Sequence, residues 1–270
     1  MYPHPPTPRR RGRGWLIAVF AAAALTMIVL AGAMAWVWWS ARPGGGETVA
    51  FRVGDPTATV SPETVDRVAE LLVRRVRSME AGEPVVTAGG RTVTVELPRD
   101  ADVEEAVALM ERRGSLTVHP VVGLAGPVGE PGAEDRTDAE LALPSPDGSG
   151  DLLLGPAALD NGGVASAETE HSPIASAWLV NVAFTERGAD TWARMTGEAA
   201  CHPAGSPERR LAIVVDGEVV TAPELSPDVA CEVGLSGGST AISGAFPEEE
   251  ASALATLVSM DPLPVEVTVE

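Results

Sequence analysis

From Trp15 to Trp39 the chain carries no charged residue, and a run of that kind has few places to go. At ~1.5 Å per residue it is roughly 37 Å long as a helix, enough to cross a ~30 Å hydrocarbon core with some tilt. Arg9, Arg10, Arg11 and Arg13 precede it and only Arg42 closely follows. That bias places the N-terminus inside, because basic flanks stay cytoplasmic. Trp15 stands at one end and Trp36, Trp38 and Trp39 at the other, where indole rings favour the lipid–water boundary. The expectation is a cytoplasmic tail over 1–14, one membrane helix over 15–39, a flexible linker over 40–46, and everything after it outside the cytoplasm. The alternative is a cleaved signal peptide, with Ala33-Met34-Ala35 as a small-x-small cleavage site. Both routes export the bulk of the chain.

Charge narrows what the exported part can bind. Residues 1–40 hold four Arg and no acid, so the remainder carries −23 against −19 for the whole chain. Nucleic acid is excluded as a partner, since its affinity rests on Lys and Arg neutralising phosphates. Lying flat on anionic lipid is disfavoured for the same reason. The chain contains no Lys, a bias that genome composition explains as easily as function does.

Beyond the linker the periodicities alternate between strand and helix. Glu47–Val53 reads as a strand. Ser61 caps a helix opening with Pro62, and Val65, Val68, Leu72 and Val76 give it one apolar face. Around Gly89-Gly90, Thr92, Thr94 and Glu96 alternate with Val93, Val95 and Leu97 as a half-buried hairpin. A second helix is expected from about Asp102 to Arg113. Acids occupy its first turn, Arg112 and Arg113 its last, and Gly114 would cap it. Ser115–Val122 follows as a strand, giving β-α-β-β-α-β, the ferredoxin-like (split βαβ) plan. Gly123–Gly150 loses periodicity and reads as a mobile acidic loop. A second α+β unit follows, with a strand over Trp178–Phe184 and a helix capped by Thr185 and running to about Ala200. A hairpin then turns at Asp216-Gly217, and residues 240–243 form a short strand. Pro247–Ser259 is a helix with Glu248, Glu249 and Glu250 at its positive end. Val265–Val269 is a last strand able to return to the first sheet, which would make the middle unit an insertion.

The stretches LAIVVDGEVVTAPEL, STAISGAFPEEEASALATLV and PLPVEV resemble the first extracytoplasmic domain of the SecD family, the subunit that with SecF assists export through the Sec channel. The residues carrying the likeness are Asp216, Gly217, Ala222, Pro223, Ile242, Ser243, Gly244, Phe246, Glu250, Ala251, Leu263 and Pro264. VDRVAELLVRRVRSM, RTVTVELPRDADVEEA and LTVHPVV are similar to the base of that domain, and WLVNVAFTERGADTWARMT to the opening of its head. The resemblance implies an α+β fold: a base over 47–122, an inserted head over 151–245, and a helix and return strand over 246–270. It also implies exported polypeptides and Sec channel components as partners. Two departures stand out. GGGETVAFRV lacks the Asp of the family's Leu-Asp-Leu-x-Gly-Gly-like segment, and the chain given stops at Glu270, where family members continue into further membrane helices. One uncharged span holds no ionisable groups to relay protons, so no proton-driven motor is expected here.

Chemistry-bearing motifs are sparse. Gly234-Leu235-Ser236-Gly237-Gly238 fits G-x-S-x-G, but a nucleophile elbow needs a strand before and a helix after, whereas a loop and a strand are expected. His4, His119, His171 and His202 share no metal-ligand spacing, and without Lys there is no phosphate loop. No cofactor, metal or catalytic residue is therefore assigned. Cys201 and Cys231, the only cysteines, would pair in an oxidising compartment; two free thiols are the alternative. The expectation is a membrane-anchored, non-catalytic SecD-like binding protein. The rival readings are an extracytoplasmic hydrolase using Ser236 and a structural envelope protein unrelated to export.

Overall fold

A computed structural model describes residues 46–57, 59–125, 139–173 and 176–270. The expected tail, membrane helix, nearly all of the linker, and residues 126–138 of the acidic loop lie outside these. Among the described residues no helix is long and apolar enough to cross a membrane.

The base is a four-stranded antiparallel sheet with two helices. It comprises β1 (Thr48–Val53), α1 (Pro62–Ser78), β2 (Val85–Gly89), β3 (Thr92–Glu96), α2 (Val103–Glu111) and β13 (Val267–Val269), in the strand order β13-β1-β3-β2. Ser61 caps α1, accepting from the Thr64 amide, and Pro62 occupies its first turn. The apolar stripe Val65, Val68, Leu72 and Val76 meets Phe51, Val53, Val93, Val95 and Leu97 in one core. The alternation in β3 sends both valines inward and leaves the threonines half-buried.

Two expectations for the base are corrected. α2 ends at Glu111, and Arg112 is already extended, so Arg112 and Arg113 do not complete a last helical turn. Their side chains turn to other elements, and the buried Arg75 takes the free carbonyls instead. The strand after α2, β4 (Leu116–Leu124), does not join the base sheet. Its inward residues Leu116 and Val118 belong to the head's core, and it pairs with head strands on both sides. The place beside β1 is taken by β13, in register Phe51↔Val269 to Val53↔Val267.

The head begins at β4. One sheet runs β11-β10-β4-β6-β5, with β5 (Leu141–Pro144), β6 (Asp151–Leu154), β10 (Leu211–Val215) and β11 (Glu218–Thr221); the two-residue β7 (Leu159–Asp160) also pairs with β4. β5 lies inside the stretch expected to be loop. It is mostly exposed and anchored by its pairing to β6, so burial leaves little pattern in its sequence. A second sheet, β12-β9-β8, is formed by β8 (Val164–Ser172), β9 (Ala177–Phe184) and β12 (Ser239–Phe246). Helices α3 (Glu186–Ala199) and α4 (Glu248–Ser259) share a core with both sheets, through Trp192 and Met195, Leu254 and Val258, Val180, Ile242 and Ile213. Ala212, Val214, Val121 and Leu154 form a separate cluster on the other face of the larger sheet. α4 thus packs into the head and not only into the return path to the base.

Candidate functional site at the neck

Base and head are joined by two short crossings, residues 112–115 and 260–263, which are bonded to each other. The Leu263 amide donates to the Arg113 carbonyl at 2.8 Å, and Arg113 Nε donates back to the Leu263 carbonyl at 3.2 Å. Asn161, in the short turn after β7, donates to the carbonyls of Gly114 (2.9 Å) and Met260 (3.0 Å) and accepts from the Leu116 amide (2.8 Å). A single side-chain amide therefore ties both crossings to the head.

Asp216 and Gly217 form the β10–β11 turn, with φ +51 and +83, the left-handed pair that a two-residue hairpin of this type requires. The turn lies on the neck. Asp216 accepts from the Ser115 amide at 2.8 Å, its own amide donates to the Ser115 carbonyl at 2.9 Å, and Arg112 reaches its other oxygen at 3.3 Å. An Asp here does two jobs: it tolerates positive φ and pairs with the arginine released by the early end of α2.

From the opposite side comes the end of β12. A bulge interrupts its pairing between Ser243 and Phe246, with Ala245 at φ +56. The bulge drives Phe246 into the core and lays its ring over Gly244, where a Cβ would sit 2.3 Å from the ring. Glycine is thus required by the phenylalanine two residues on. Gly244, Phe246 and Glu250 line a recess of about 280 Å³ together with Arg112 and Glu218. Ala251 and Ile242 are buried in the head core, Ser243 and Glu250 are exposed, Leu263 is buried in the base core, and Pro264 is exposed beside it. The structure thus brings Asp216, Gly244, Phe246, Glu250 and Leu263 around one neck. Ala222 and Pro223 stand apart at the far end of β11, where Ala222 packs on the second head cluster and Pro223 is exposed.

Arg75 was not singled out from sequence. It is fully buried at the end of α1 and donates to the carbonyls of Leu109 (3.0 Å), Arg112, and Arg113 (2.9 Å). These are orphan carbonyls at the end of α2 and in the first crossing. Burial pushes its pKa down to about 10, opposed by Asp216 and helped by Arg112, so it remains a cation at neutral pH. One signal was available: Arg75 falls three residues after Leu72 and directly before Val76, on the apolar stripe.

Cys201 and Cys231 form a disulfide. It fastens the turn after α3 to a loop that also closes on α3 through the Glu232 amide to Gly197 O (3.1 Å) and the Leu235 amide to Thr196 Oγ1 (2.8 Å). The loop presents Val233, 64% exposed, and Leu235. Ser236 lies on the same loop, exposed and followed by β12. Strand after the serine, not helix, is the wrong context for a nucleophile elbow. Among the described residues no hydrogen bond joins Ser236 to a histidine: His119 is held by Gly155 O and Thr117 Oγ1, and His171 packs edge-on against Trp178.

A small α+β base carries an α+β head on a paired neck, a two-part α+β module. Residues 140–265 match the family model of the SecDF P1 head subdomain. Protein translocase subunit SecD of Streptomyces coelicolor is 39% identical over 114 residues, covering 42% of this chain and 19% of that protein. SecD of Rhodobacter capsulatus is 30% identical over 232 residues, 83% of this chain and 38% of that protein, and SecD of Acidaminococcus fermentans 27% identical over 227 residues, 84% and 43%. The chain spans less than half the length of these curated relatives. A crystal structure of SecDF in a super-membrane-facing form shares the fold with TM-score 0.61 at 24% identity, over 93% of this chain and 34% of that one. A SecDF structure described as that of a membrane component that enhances protein export gives TM-score 0.57 at 24% identity, over 83% and 97%. Residues 140–265 are thus similar to the SecDF P1 head subdomain, and most of the chain is similar to curated SecD proteins.

Proposed function

We propose that this chain is a single-span membrane protein, N-terminus inside, whose SecD-like domain binds polypeptides during export and works beside Sec channel components. The observation that carries the reading is the match of residues 140–265 to the SecDF P1 head subdomain. The relatives' names as translocase subunits support it. The uncharged run 15–39 holds no group that could relay protons, so the role proposed for these residues is binding, without a motor and without catalysis. The base is assigned to the ferredoxin-like split βαβ plan, supported by its strand order β13-β1-β3-β2 with α1 and α2 as crossovers. The head is then an insertion between α2 and β13.

The test is photo-crosslinking in intact cells, with the full chain carrying a photoreactive residue in place of Val233. Capture of an exported polypeptide is the expected result, unchanged by Ser236→Ala. Absence of capture from every exposed head position would reject the reading, and so would a hydrolytic activity that disappears in Ser236→Ala. Protease added to spheroplasts should digest the domain; its full protection would reject the topology.

A further inference from the structure

The head's smaller sheet ends in a strand whose outer edge is open. Among the described residues no strand other than β9 pairs with β8, and β8 is nine residues long. The other edges offer less: β2, β5, β11 and β13 have five, four, four and three residues, and β12 is broken by its bulge. An unpaired strand presents N–H and C=O groups spaced for another strand, and edges are usually blunted by Pro or Lys. No Pro occurs between Val164 and Ser172, and pairing to β9 is regular from Ser166 to Ser172.

β8 also forms one wall of a cleft of about 590 Å³ between head and base. Ala167, Glu168 and Thr169 line one side, Ser252 of α4 a second, and Glu80 and Glu105 of the base a third. Among the described residues the lining contains these three carboxylates and no basic side chain. The Glu105 carboxyl is held above the usual range by burial, with Glu249 and Asp102 adding to the effect. A cation is what this field lacks. The same acids disfavour a second copy of the chain, whose own β8 would bring Glu168 and Glu170 against their like.

We infer that the cleft binds an extended polypeptide segment rich in Lys or Arg, which adds to the open edge of β8 as a further strand. Main-chain bonds to β8 supply sequence-tolerant affinity, and the cleft acids select for basic side chains. This rests on the polypeptide-binding role proposed above and adds where the segment lies and what its chemistry is.

The experiment uses the full chain with a photoreactive residue at Ser252 and a fluorescent peptide alternating Lys and Thr, long enough to span β8. The peptide should be captured at Ser252. Its affinity should fall about tenfold when alternate peptide amides are N-methylated. A similar fall of about tenfold is expected in the triple variant Glu80→Gln, Glu105→Gln, Glu168→Gln, and in raised salt. If the triple variant does not fold, Glu168→Gln alone, at an exposed strand position, must still weaken binding. Equal binding of the N-methylated peptide, or of the folded acid-free variant, would overturn the inference. Capture at Val233 but not at Ser252 would reject the cleft and leave the broader role standing, whereas capture at neither would reject both. A concentration-dependent dimer that blocks peptide capture at Ser252 would give the edge to a second copy and overturn the inference.

Discussion

Base and head each bury one arginine among backbone carbonyls, and the two are used differently. Arg75 of the base reaches out of its own helix to the end of α2 and into the first crossing. Arg209 of the head, 5% exposed, stays within it, donating to the carbonyls of Ala200 at the end of α3 and of Leu225 and Ser226 on the loop after β11. The planar guanidinium suits both, since its fork meets several carbonyls at fixed angles. The cores differ likewise. The base core comes from one α-β-β-α run closed by β1 and β13. The head core gathers β4, β9, α3, β10, β12 and α4 from well-separated stretches, and it leans on a disulfide that the base lacks. A part assembled from distant pieces needs fastenings; a part assembled from neighbours needs periodicity.

That contrast can be broken by experiment. The disulfide should matter most: Cys201→Ser should cost about 3–4 kcal/mol by the chain-entropy account of its loop. The loss should be read in urea as a shift of the head's transition, with base amide protection kept. If both parts lose protection together, head and base are one cooperative unit. Next is Arg75→Met, which strands several buried carbonyls and should cost about 3 kcal/mol. Hydrogen exchange should show it loosening α2 and the crossing, whereas Arg209→Met loosens the end of α3 and the loop after β11. Identical exchange footprints would erase the distinction. A smaller effect is expected of Gly188→Ala, where the new Cβ would fall 2.0 Å from Gly163 O. Forcing that contact apart should cost about 1–3 kcal/mol and lower the melting temperature. Its counterpart in the base, Gly90→Ala, meets open space at φ +63 and should cost only about 1 kcal/mol. The smallest effect is a titration. Asp147, in the β5–β6 turn, is lowered to about 2 by hydrogen bonds from Ser149 and then Ser145. A depressed carboxyl contributes above its unfolded value and loses that contribution as pH falls. The Ser149 amide shift should thus move with a midpoint near pH 2, and Asp147→Asn should abolish the transition. Asp55 of the base, lowered by the Thr57 hydroxyl and amide, should likewise titrate below the ordinary range.

What could be read from sequence was local. Ser61 and Thr185 announce helix starts through their own side-chain oxygens, and Asp216-Gly217 announces its turn through backbone conformation; all three act as their chemistry dictates. What escaped depends on partners far along the chain. Leu116 and Val118 look the same whether β4 closes the base or opens the head, since alternation gives a buried face and not the sheet it faces. α2 stops early because Arg75, from another helix, satisfies its last carbonyls. β5 has little burial to leave a signature. Of the neck, the Asp216 turn and the Phe246 bulge were visible as family-like residues, but Asn161 and Arg112 had no local signal that would join them to it.

The paired crossings at Arg113 and Leu263 have an architectural consequence. Because the two crossings that enter and leave the head are already hydrogen-bonded to each other, the base has in effect a socket with closed lips. A short loop from Arg113 to Leu263 would complete it, and any domain whose own ends lie side by side could be grafted there. The chain is therefore modular at that point, and exchanging what sits in the socket would leave the base core and its strand order as they are.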